Sequence, residues 1–188
     1  KLQEGGSLLW SWKSGLGTSY LPIITYYLAS PLNILTVIIP SEYLNDFFTI
    51  ITCTKIALSS LFFAQFLRII FNRRDISVAM FGFMYAFSAY FMGYYWNIMW
   101  LDTVALLPLV VAGTITLLQK GKFKLYVVSL TLSLISNCYI GLFTCIFVLL
   151  ISICYFITEY KNFKNLLCNF SKMAFFSLIA IAITAILT

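Results

Sequence analysis

Leu125 to Ile157 reads LYVVSLTLSLISNCYIGLFTCIFVLLISICYFI, an apolar run of 33 residues. A helix needs about 20 mostly apolar residues to cross the hydrocarbon core of a bilayer. The run is therefore too long for one pass at ordinary tilt. It divides at Ser136-Asn137-Cys138-Tyr139, which makes it a hairpin of two membrane helices. The first arm, Leu125 to Ile135, is short, and Lys122 and Lys124 can extend it by snorkelling.

The rest of the chain follows the same pattern. It has 188 residues, 62% hydrophobic and 10% charged, with a mean hydropathy of +0.96. Soluble domains run at about 45–50% apolar and about 25% charged. A soluble core of this size cannot hide so much apolar surface, whereas lipid removes the conflict. Further spanning segments are expected at Asp46 to Phe71, Ile76 to Tyr95, Thr103 to Leu118 and Phe170 to Thr188. The expectation is an all-α, polytopic transmembrane bundle of about six membrane helices. The chain opens without Met and closes in mid-hydrophobic run, so the reading also expects a piece of something longer. Lys1 to Ser19 shows no secretory signal pattern and reads as a polar loop.

The net charge of +6 does not point to nucleic acid, because the basic residues lie between apolar runs rather than on one polar face. It is the signature of cytoplasmic loops. With the hairpin, Arg68, Arg73, Arg74, Lys120, Lys122, Lys124, Lys161, Lys164 and Lys172 all fall on one side. The opposite, extracytoplasmic side then holds residues 1–45, Trp96 to Asp102 and the turn at Asn137. All four tryptophans, Trp10, Trp12, Trp96 and Trp100, belong to it. Tryptophan favours the interface, but one-sided clustering hints at a binding surface. Pro22, Pro31 and Pro40 cut the apolar stretch Tyr20 to Pro40 into short pieces. The preferred division is an outer loop of short interfacial or re-entrant helices over 1–45 and a membrane bundle over 46–188. If Tyr20 to Pro40 spans instead, Lys1 to Ser19 moves to the cytoplasm.

Asp102 ends an outer loop. A carboxylate between two apolar helices is either working or an interfacial cap on the third helix, with Thr103 helping. Lys55 lies nine residues into the first helix, about 13 Å by helical rise. An intramembrane amine there is either functional or paired structurally, and Ser59 shares its face. Trp10-Ser11-Trp12 with Gly15-Leu16-Gly17 is a ligand loop or an aromatic-anchored turn. Asn137 and Tyr139 satisfy backbone at a turn or line a pocket. Glu42, Asp46 and Asp75 read as helix-start charges. Gly82, Ala86, Ala89 and Gly93 form a small-residue packing stripe. The five cysteines, Cys53, Cys138, Cys145, Cys154 and Cys168, form no CxxC pair and read as small apolar residues. Histidine is absent, which excludes a His-based triad or His-ligated metal within these residues.

Three strings in order and spacing carry a family resemblance over nearly the whole chain. They are Trp12-Lys13-Ser14-Gly15-Leu16-Gly17 with Tyr26-Tyr27-Leu28-Ala29-Ser30-Pro31-Leu32-Asn33, then Tyr94 to Asp102 with Leu107-Pro108-Leu109, then Ser136-Asn137-Cys138-Tyr139-Ile140-Gly141. They resemble the outer loops of the YfhO family of bacterial membrane proteins, which are similar to GT-C glycosyltransferases. The resemblance implies an enzyme of the cytoplasmic membrane that takes a sugar from a polyprenyl-phosphate carrier and transfers it to a cell-envelope polymer. Its partners would be the bilayer, that donor and that acceptor. Its main catalytic acid would lie upstream of Lys1, with Asp102 assisting, binding the acceptor or holding a metal. No cofactor is assigned, and a divalent metal has no support in the sequence. Lys55 would meet the lipid phosphate if it faces the outer cavity. Trp12, Gly15, Gly17, Asn33, Trp96, Asn97, Trp100, Asn137 and Tyr139 would contribute to substrate binding. A transporter or lipid flippase, which Lys55 fits, and a non-catalytic scaffold subunit are the alternatives.

Overall fold

The structure is a computed structural model and describes residues 10–11, 17–19, 26, 29–159 and 163–187. β1 (Trp10–Ser11) and β2 (Thr18–Ser19) make a two-residue antiparallel ladder, Trp10 opposite Ser19. Gly17 precedes β2 at φ 99°, a backbone conformation that glycine adopts without steric cost. Two 3-10 turns, Asn33–Val37 and Ser41–Tyr43, lead into α1 (Leu44–Phe71). There follow α2 (Ile76–Ala86), α3 (Ala89–Tyr94), α4 (Ile98–Lys120), α5 (Lys124–Ser136), α6 (Cys138–Glu159) and α7 (Phe163–Leu187). Among the described residues five segments are long and apolar enough to cross a membrane: Ser41–Phe71, Ile76–Tyr94, Ile98–Lys120, Cys138–Thr158 and Leu167–Ala185. With the shorter apolar α5, this is the expected helical bundle of about six membrane helices.

The central helix is α4. Of its apolar stretch 67% is buried inside the protein, against 17–28% in the other four spans. It packs against α1 on one side and α5 on the other. Outside these, α2 leans on α1, while α6 and α7 lean on α5. The outer helices therefore turn most of their apolar surface outward, the arrangement that lipid permits and water does not. Glycines set the closest approaches. A Cβ on Gly113 of α4 would lie 2.6 Å from the Tyr126 Cα of α5. One on Gly141 of α6 would lie 2.9 Å from Leu134.

Helix ends follow local chemistry. Asn72 closes α1 at φ 52°, a left-handed position that asparagine tolerates. Gly121 closes α4 at φ 67°, its N–H donating to the Leu117 carbonyl at 2.9 Å. Asp75 stands at the N-cap of α2, and the Ser77 hydroxyl donating to it holds its exposed carboxyl below the usual carboxylate range. The expected hairpin break is present. Asn137 is extended (φ −160°, ψ 111°), and its side-chain oxygen accepts from the Ile140 N–H at 3.0 Å. One residue thus stops α5 and caps α6.

Three expectations need correction. The second span is broken at Phe87–Ser88 into α2 and α3, and the small-residue stripe breaks with it. Gly82 and Ala86 are buried, Gly82 tight against α1 at Ser60, but Ala89 is exposed and Gly93 has nothing within 4 Å. The central helix begins at Ile98, not Thr103, so Trp100 and Asp102 lie in its opening turns and Asp102 is not its cap. The last helix begins at Phe163 rather than Phe170.

Pro108 sits buried inside α4. A proline has no N–H, so the carbonyl four residues back, on Val104, loses its helical donor. The Tyr85 hydroxyl of α2 supplies one at 2.7 Å. At membrane depth a freed carbonyl must find such a partner.

Candidate functional site

Lys55 lies eleven residues beyond the first residue of α1, on the buried face that also carries Ile51 and Ser59. Its side chain is fully buried. The three N–H of an ammonium meet three oxygens: the Asp102 Oδ2 at 2.6 Å, the Asn33 Oδ1 at 2.8 Å and the Ile98 carbonyl at 2.8 Å. The group joins the chain ahead of α1, the middle of α1 and the first two turns of α4. A buried ion pair holds only when geometry is good and the remaining hydrogen-bonding capacity is satisfied. The Lys55 half meets that condition. Asp102 keeps 10% of its side chain exposed, and its second oxygen accepts no hydrogen bond among the described residues. The counter-charge Asp102 meets is the Lys55 ammonium.

A second set of contacts gathers on Tyr26. The Trp100 indole N–H donates to the Tyr26 hydroxyl at 3.2 Å. The Asn137 side-chain amide donates to the Tyr26 carbonyl at 3.1 Å, and the Tyr26 and Tyr139 rings are 6.5 Å apart. Thr103 of α4 donates to the Ser133 carbonyl of α5 at 3.3 Å, linking the two sets through adjacent residues of α4.

Beside the ion pair runs an apolar groove of about 1040 Å³. It is lined by Phe48, Thr52, Cys53 and Ile56 of α1, by Phe83, Phe87 and Phe91 along α2, the break and α3, and by Trp96 and Ile98. Ile98 therefore faces the groove and, through its carbonyl, Lys55.

The chain matches the family described as bacterial membrane protein YfhO over residues 1–188. It belongs to the YfhO family. With its apolar helices, that makes it a multi-pass membrane protein. No curated protein and no solved structure matches it.

In this YfhO-family chain the site residues expected from the sequence fall into groups. Lys55, Asp102 and Asn33 meet directly. Trp100, Asn137 and Tyr139 converge on Tyr26. Trp96 is exposed at the groove rim, its indole N–H on the Gly93 carbonyl at 3.2 Å. Asn97 is buried just ahead of α4. Gly17 lies in the β1–β2 connection, and Trp12 and Gly15 fall outside the described residues. Lys55 faces inward with Ser59, and all three of its N–H are occupied, so none is open to a phosphate in this arrangement. Sequence reasoning missed Ile98, because a backbone carbonyl has no side-chain signature. It also missed Tyr26 as a hub, although Tyr26 stands in one of the strings that carry the resemblance.

Proposed function

We propose that this protein is a membrane glycosyltransferase of GT-C type. It would move a sugar from a polyprenyl-phosphate carrier to a cell-envelope acceptor on the extracytoplasmic side of the bacterial cytoplasmic membrane. The observation that carries the reading is the adjacency of the apolar groove and the ion pair, which share Ile98. A polyprenyl chain is apolar and its phosphate is not, so the carrier needs a slot that lipid can enter beside a polar group at its end. The groove supplies the apolar part, and the Lys55–Asp102 pair lies behind its α1 wall, reached through Ile98.

The transfer is a displacement. The acceptor hydroxyl oxygen bonds to the anomeric carbon as the bond from that carbon to the phosphate oxygen breaks. The phosphate keeps the electron pair, and a carboxylate takes the hydroxyl proton. Asp102, with one oxygen held by Lys55, offers the other to the acceptor hydroxyl and orients it. The rings of Trp96 and Trp100 suit a sugar face. Lys55 balances charge on the leaving phosphate only by exchanging a neutral acceptor, Asn33 or Ile98, for a phosphate oxygen.

The test is transfer from a labelled polyprenyl-phosphate sugar to envelope material, in membranes containing the protein. Loss of transfer on Asp102→Asn at unchanged protein level is expected. No transfer with any of several donors from a folded protein overturns this reading; movement of solute or lipid without a sugar product then favours the transporter, and co-purification with a partner that holds all the activity favours the scaffold.

A further inference from the structure

Residues 29–39 contain no charged side chain. The segment is split by side. Ser30 and Asn33 are buried, whereas Ile34, Leu35, Val37 and Ile38 are 54%, 45%, 44% and 78% exposed. Its backbone is folded on itself: the Ile34 N–H donates to the Ser30 carbonyl at 3.1 Å, and the Thr36 hydroxyl to the Asn33 carbonyl at 2.7 Å. After Pro40 it runs straight into the span that begins at Ser41. Its exposed apolar side is followed by exposed Tyr43 in the next turn and exposed Ile50 on α1. So apolar a surface next to the entry of a membrane helix is costly in water and at home at the boundary of headgroups and acyl chains. The buried side makes the opposite kind of contact: the Asn33 oxygen accepts from the Lys55 ammonium at 2.8 Å. Hydrogen bonds to a charged group are the strong ones.

We propose that residues 30–38 are a strap seated in bilayer lipid through Ile34, Leu35, Val37 and Ile38 and tied on its protein side, through Asn33, to the Lys55–Asp102 pair. Release of the tie loosens the strap and leaves the helices in place. The proposal needs only that the protein is a membrane protein; it does not rest on glycosyl transfer.

The test uses the protein reconstituted in vesicles of phosphatidylethanolamine and phosphatidylglycerol, its five cysteines replaced by alanine. A nitroxide is placed at Ile38→Cys, and at Lys122→Cys as an exposed loop control. Collision with oxygen is expected to dominate at position 38, and collision with a water-soluble nickel chelate at position 122. Nickel access at 38 equal to that at 122 places the strap in water and overturns the proposal. Exclusion of both reagents shows a protein covering, a second copy or another part of the chain, and also overturns it. Asn33→Leu is then expected to raise the mobile fraction of the spectrum at 38 roughly tenfold or more, the loss of one bond to a charged group. Asn33→Asp, which keeps an oxygen acceptor, is expected to restore the wild-type spectrum. An unchanged spectrum at 38 in Asn33→Leu overturns the tie.

Discussion

Lys55 and Asp102, 47 positions apart in the chain, form a 2.6 Å ion pair that joins α1 to α4 inside the bundle. Removing one partner leaves a buried charge uncompensated, which costs about 3–5 kcal/mol; replacing both by apolar residues is often near neutral. Lys55→Met and Asp102→Leu are each expected to lower the thermal unfolding midpoint in detergent micelles. The double variant should recover most of the loss. A double variant as unstable as the sum of the singles would show that the pair is not coupled.

Tyr85 and Pro108 are expected to be coupled through a carbonyl that neither owns. Tyr85→Phe strands the Val104 oxygen and should cost about 1–3 kcal/mol. In a Pro108→Ala background the residue at 108 again has an N–H for Val104, so the same Tyr85→Phe change should cost less than half as much. Equal costs in both backgrounds would mean that the tyrosine hydroxyl does not serve that carbonyl. Chemical or thermal unfolding of the four proteins completes the cycle.

Two glycines should respond oppositely to the same methyl group. At Gly113 a Cβ meets the Tyr126 backbone at 2.6 Å, so Gly113→Ala must push α4 and α5 apart, at about 1–3 kcal/mol. At Gly93 a Cβ meets nothing within 4 Å, and alanine is the better helix former by about 1 kcal/mol. Gly93→Ala should therefore be neutral or stabilising. Midpoints of the two variants measured side by side decide the matter.

Cys53 lines the groove, and Cys154 is exposed on α6 away from it. If the groove takes the polyprenyl chain, polyprenyl phosphate should slow maleimide labelling of Cys53 several-fold and leave Cys154 unchanged. Equal rates with and without the lipid would remove the groove as its seat.

How much was legible in the chain depends on which force acts at each place. Lipid burial is a bulk effect of composition, so the spans and the Leu125–Ile157 hairpin could be read from apolar runs. Asn137 could be read because a polar residue in mid-run has few roles. Lys55 and Asp102 stood out singly because charge is rare in such helices, and Asn33 lay in a recognisable string. Their meeting was not legible: it depends on a tertiary contact 47 residues long for the ion pair and 22 for Asn33. The start of α4 was misplaced because Asn97 and Asp102 looked like loop residues. A carboxylate in the opening turns of a helix is in fact favoured by the dipole there, and here also by Lys55. The break at Phe87–Ser88 carries no proline and no charge to announce it.

The shortness of α5 bears on the membrane itself. Its 13 residues rise about 20 Å, about 10 Å less than the hydrocarbon core is thick. Such a mismatch is relieved by thinning the bilayer or by covering the early turn with protein. Asn137, fully buried and bonded to Tyr26, has the second remedy on its inner side. The exposed neighbours Tyr139 and Leu142, at 54% and 59%, belong to the full-length α6, so α6 rather than α5 presents this corner outward. The short helix is thus an inner strut, and the length that the bilayer has to match at this corner is that of α6.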